Sequence, residues 1–80
     1  MATFEECAAA TDAVGWDVTY AEVDVAVETH EGVSLEDLRD DLEGCVTAFE
    51  ARGGRGVSLA NRIDSLRIAI AVREFHEANG

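Results

Sequence analysis

Residues 67–73 read Arg-Ile-Ala-Ile-Ala-Val-Arg and continue without a break into Glu74-Phe75-His76-Glu77-Ala78. The choice between an all-helical chain and a mixed one is made here. Taken alone, the first seven residues alternate with the two-residue period of a strand. A matching run lies upstream, where Val23, Val25 and Val27 alternate with Glu22, Asp24, Ala26 and Glu28. Paired, the two runs would set Glu22 and Glu28 against Arg67 and Arg73. A wider window favours the helix. Leu59, Ile63, Leu66 and Ile70 form one stripe at helical spacing. Ile68, Val72 and Phe75 form a second stripe, on nearly the opposite side at about 100° per residue. The tail from Arg73 to Ala78 also looks helical, and nothing separates it from what precedes. A lone strand pair would leave open edges. Residues 59–78 are therefore assigned to a helix, and 20–30 with them. An α+β fold with residues 18–28 and 66–73 as paired strands is the alternative.

Three glycine-containing breaks divide the chain: Gly15, Gly32, and the run Gly53, Gly54 and Gly56. Each segment between them opens on a hydroxyl followed three residues later by an acid or amide: Thr3 and Glu6, Thr19 and Glu22, Ser34 and Asp37, Ser58 and Asn61. Such a hydroxyl accepts a hydrogen bond from an otherwise unpaired first-turn amide, worth about 1 kcal/mol. The words Gly32-Val33-Ser34-Leu35 and Gly56-Val57-Ser58-Leu59 are identical and read as one capping solution used twice. Leu35, Leu38, Leu42, Cys45 and Phe49 give the clearest amphipathic helix, residues 35–51, with Gly53 as a left-handed stop. Within 20–30, Tyr20, Val23, Ala26 and Val27 share a helical face and Val25 falls off it. The expected fold is all-α: a compact four-helix domain spanning 1–80, with helices near 3–14, 20–30, 35–51 and 59–78. The last two are expected to form an antiparallel hairpin about Gly53–Gly56.

The charge is lopsided. Seventeen acids face six bases, all Arg, for a net charge of −11. Residues 1–50 hold fourteen of the acids and a single base, Arg39; residues 51–80 hold Asp64, Glu74, Glu77 and five Arg. The absence of Lys, the excess of carboxylates and the small apolar residues together resemble the protein composition of an extreme halophile with a salt-filled cytoplasm. Carboxylates hold water without the long apolar stem of Lys. At molar salt the Debye length falls to about 3 Å, so self-repulsion largely vanishes. No apolar run approaches the roughly 18 residues of a membrane span, and the acidic N-terminus lacks the features of a signal peptide. The expected location is the cytoplasm or the inside of an assembled particle, with no membrane contact.

Little in the chain points to chemistry. Cys7, Cys45, His30 and His76 could suit a metal by type, but none of the usual short spacings is present, and no metal or cofactor is expected. Both cysteines read as buried free thiols. Asp37, Asp40 and Asp41 read as a solvated face. Ser34 and Ser58 are taken up by capping, and no nucleophile elbow is present. A small enzyme would need His30 or His76 in a pocket with Arg side chains. Arg52-Gly53-Gly54-Arg55-Gly56 reads chiefly as an interhelical turn whose Arg side chains meet acidic neighbours.

A non-catalytic interaction or assembly module is therefore expected, with a protein partner and self-association as the leading case. The expected contact surface is the last helix, because a helix apolar on two sides needs two partners. Ile68, Val72 and Phe75 would pack, and Arg55, Arg62 and Arg73 would orient against an acidic surface. The alternative is a small nucleic-acid-associated regulator using Arg52, Arg55, Arg62 and Arg67, a reading that high salt weakens.

Overall fold

The computed structural model describes residues 1–80 as four helices and no strand: α1 (Phe4–Val14), α2 (Tyr20–Thr29), α3 (Leu35–Ala51) and α4 (Val57–Asn79). The all-α expectation holds, and the paired-strand alternative does not.

Local signals explain three of the four starts. Thr3 and Glu6 form a reciprocal capping box on α1: the Thr3 hydroxyl accepts from the Glu6 amide at 3.2 Å, and the Glu6 carboxylate accepts from the Thr3 amide at 2.8 Å. Thr19 and Glu22 repeat the arrangement on α2 at 3.1 and 3.0 Å. That box commits the ambiguous segment to a helix, because it satisfies two first-turn donors that a strand would leave to a neighbour. On α3 the Ser34 hydroxyl accepts from the Asp37 amide at 3.1 Å.

The fourth start departs from expectation. α4 begins at Val57 behind Gly56, and no side chain caps it. Ser58 lies inside the first turn instead of before it. The identical tetrapeptides therefore do different work, since Ser34 precedes its helix and Ser58 is part of one.

The turn between α3 and α4 is closed by α3 itself. The Gly53 amide donates to Glu50 and the Gly54 amide to Phe49, at 2.9 and 3.0 Å. With Gly53 at φ 69° and Gly54 at φ 76°, the backbone is left-handed at both positions. This is the paired hydrogen-bond stop that glycine permits at a helix end. It turns the chain back so that α4 runs along α3.

α4 is the axis of the molecule. It packs against α1, α2 and α3; α1 also meets α2, whereas α3 touches no helix but α4. At about 1.5 Å per residue its 23 residues span roughly 34 Å, close to the 37 Å long dimension of the whole chain. The radius of gyration is 12.3 Å, near the roughly 12 Å expected of a compact 80-residue domain. The core draws on every helix: Ala10 from α1, Val23 and Ala26 from α2, Leu38 and Cys45 from α3, and an almost unbroken run from Ile68 to Val72 on α4, with Ile63 and Leu66 before it. That run is enclosed on all sides, so it has no wet face and loses the helical period. This is why residues 67–73 imitate a strand.

Candidate interaction surface

The residues expected to meet a partner are mostly engaged within the chain. Ile68 is 3% exposed and lies beside Ala21 and Ala26 of α2. Val72 is also 3% exposed and lies beside Val27 and His30. The expectation that these two side chains face a partner is corrected: helices of the same molecule cover them. Phe75 is half-buried, its ring edge-on to His76 at 5.5 Å. Arg62 is ion-paired with Asp41 across the α3–α4 hairpin. Arg73 donates to the Val33 carbonyl at 2.8 Å, tying α4 to the loop before α3. The remaining ion pairs use Arg39 with Glu74, His76 with Glu6, and the N-terminal amine with Asp24. Arg52, Arg55 and Arg67 have no acidic partner. Arg52 and Arg55 were expected to meet acidic neighbours of the chain; both are exposed at the turn.

The histidines are structural joints. His30 ends α2, is 6% exposed, and its Nε2 lies 3.1 Å from the Ser65 hydroxyl of α4. Burial lowers its proton affinity, the nearby Arg62 charge lowers it further, and Asp41 opposes both. A neutral imidazole beside a hydroxyl has the composition of a nucleophile and base. No carboxylate hydrogen-bonds the other ring nitrogen, however, and that is the group that orients a catalytic histidine. His76 contacts the Glu6 carboxylate at 2.6 Å and so ties the far end of α4 to the start of α1. Burial pulls Glu6 up, but hydrogen bonds from the Thr3 amide and His76, with the His76 charge, outweigh it and hold the carboxyl below its ordinary value.

Cys7 donates to the Val18 carbonyl at 2.7 Å, and Cys45 lies 3.6 Å from an Asp41 oxygen. Both are free thiols, half-buried and buried respectively. Nowhere do three His, Cys, Asp or Glu side chains converge as a cation site would require.

On α1 and α2 the chain leaves large apolar side chains uncovered. α1 buries Ala10 completely while Phe4 is 72% exposed. α2 buries Val23 and Ala26 while Tyr20, Val25 and Val27 remain exposed. Phe4 and Tyr20 flank one cleft of about 250 Å³, floored by Cys7 and Ala8 with Asp12 at its edge. Val25 flanks a second, of about 330 Å³, between α2 and the first half of α4, with Glu22 and Asp64 at its rim. Tyr20 and Ala21 connect the two along the outer side of α2. Residues 1–34 hold eight acids and no Arg or Lys, and the N-terminal amine is paired with Asp24, so this face is predominantly acidic. Sequence reasoning missed it. The one signal available was Val25 falling off the shared face of α2.

Architecture and surface together define a small helical domain organised on a central C-terminal helix, with an acidic, aromatic outer face. No family model matches the chain, and no curated protein or solved structure matches it either. No helix is long and apolar enough to cross a membrane.

Proposed function

We propose that this protein is a non-catalytic helical interaction module that acts as a subunit or adaptor in a larger protein assembly, and that the α1–α2 face is its contact surface. The observation that carries the reading is the set of exposed apolar side chains on that face. Phe4, Tyr20 and Val25 stay in solvent beside clefts. Aromatic side chains beside pockets, ringed by polar groups, are what protein contact surfaces use. The acidic ring selects a partner segment with basic and apolar side chains. The composition supports a halophilic, archaeal setting with a salt-filled cytoplasm, or an assembled particle within it. Under those conditions apolar fit supplies the affinity and charge supplies the register.

The test is site-specific photo-crosslinking in concentrated KCl. A photoreactive phenylalanine at position 20 is expected to give a discrete protein adduct, lost on Phe4→Asp without a change in melting temperature. The same group at position 36, on the outer side of α3, should give none. Equal labelling from both positions, or an adduct indifferent to Phe4→Asp, refutes the surface.

A nucleic-acid-associated regulator is the second reading, and the unpaired Arg52 and Arg55 support it. Arg62, held by Asp41, is no longer free to contribute. That reading requires a gel shift that survives molar KCl, where each phosphate contact is weakened.

A further inference from the structure

The interaction reading leaves the partner unnamed; the distribution of exposed groups on the chain names one. The α3–α4 turn is the chemical complement of the α1–α2 face. Val57 projects from it 78% exposed, the most exposed large apolar side chain after Met1. The Arg52 guanidinium folds back over the turn, 3.7 Å from where a side chain on Gly56 would begin. Arg55 stands exposed between them. Arg52 and Arg55 have no acidic partner, as noted above, and neither Val57 nor the residues beside it pack into the core. The turn is thus an apolar knob carrying two unpaired cations. The face is an apolar cleft whose one charged lining residue, Asp12, is negative.

The knob and the Phe4 side of the cleft lie toward opposite ends of α4. The turn precedes the first residue of α4. The cleft side chain Phe4 opens α1, and Glu6, two residues on, is bonded to His76 near the last residue of α4. Val57 is 78% exposed, so the chain does not seat its own knob in its own cleft. We infer that the partner is a second copy of this chain, bound head to tail, with Val57 entering the Phe4–Tyr20 cleft of the neighbour and Arg52 and Arg55 facing its Asp12 edge. This inference rests on the interaction reading above and specifies its occupant. A contact between two different patches of identical chains repeats on each added copy, so it builds a ring or a filament and not a closed pair.

Three samples and one mixture test it, by light scattering at about 1 M KCl, where the mutual repulsion of the acidic bodies is screened. The native chain is expected to exceed monomer mass and to grow with concentration. The knob variant Arg52→Glu/Arg55→Glu and the cleft variant Phe4→Asp/Tyr20→Ser are each expected to be monomeric and folded by circular dichroism, since all four side chains are exposed. Their equimolar mixture is expected to reach twice the monomer mass and stop, because each variant retains one intact half. Should the cleft variant misfold, Ala8→Glu in the cleft floor replaces it.

A monomeric native chain, a knob variant that still assembles, or a mixture that stays monomeric each overturns the head-to-tail contact. If the native chain is monomeric but position 20 still crosslinks to a different protein, the interaction reading survives and the self-association is refuted. Loss of both results refutes both.

Discussion

The two halves of α4 belong to one continuous helix and have opposite surroundings. From Leu66 to Val72 only Arg67 is exposed, and α1, α2 and α3 close around the rest. From Val57 to Asp64 only Ile63 is buried, and the first turn has neither a cap nor an acid to oppose the helix dipole. The comparison shows that apolar circumference on a helix does not announce an external partner. In the second half the surplus apolar surface is consumed inside the molecule, because two short helices suffice to cover what α3 leaves. The surface left over is on α1, α2 and the knob that opens α4.

The largest effect should come from removing a side chain in the enclosed half. Leu66 is completely buried, and Leu66→Ala should destabilise the domain by about 3 kcal/mol, read from denaturant midpoints in concentrated KCl. A loss below about 1 kcal/mol would show that the second half of α4 is less tightly packed than its burial implies.

The joint between the halves is the next target, through pH. His30 holds Ser65 of α4 and is kept neutral by burial and by Arg62, against the pull of Asp41. Its proton affinity is lower folded than unfolded, where histidine titrates near pH 6.5. Above that pH both states are neutral and the full stability is present. As pH falls, the unfolded chain takes up the proton first, and stability declines until the folded imidazole titrates as well. One proton sets a ceiling of about 1.4 kcal/mol per pH unit on this slope. His30→Gln should flatten the stability curve as pH falls below about 6.5; an unchanged slope there would assign the dependence to other groups. Glu6, whose carboxyl is held low, acts in a separate and more acidic window. Its contribution is present above the unfolded carboxylate range, near pH 4.3, and is lost as pH falls through the folded value.

A smaller effect tests why the ambiguous segment is helical. Thr19→Ala removes the α2 cap and should cost about 1 kcal/mol, with a matching loss of helicity on mild heating. The turn gives a similar figure by another route. A side chain at Gly53 meets nothing within 4 Å, so Gly53→Ala reports backbone strain alone, about 1 kcal/mol. Smallest of all should be Val57→Ser in the open half, within about 0.5 kcal/mol of the native stability of a dilute sample. A large loss there would mean that the knob supports the fold of its own chain.

Much of this architecture was legible in the residues. Three of the four caps, the amphipathic stripe of α3 and the glycine stop at Gly53 are local: each needs only atoms a few positions apart, and each is written in a short string of sequence. The hairpin of α3 and α4 follows from that stop. The α4 start was misjudged because Ser58 matches Ser34 in its neighbours. A capping hydroxyl is useful only before the first helical residue, and the glycine run lets α4 begin one residue earlier than Ser58. The interface on Ile68 and Val72 was misjudged for a different reason. A stripe shows that a side must be covered and carries no label for what covers it.

The chain's own composition settled that it is acidic and free of Lys, and its short-range patterns settled where helices begin and end, because charge and capping act over one turn or less. Which apolar residues are spent inside and which remain for a partner was settled only when α1 and α2 came to rest on α4. That allocation joins residues up to 70 positions apart, as Glu6 and His76 are. Neither member of such a pair carries a mark of the other until the fold brings them together.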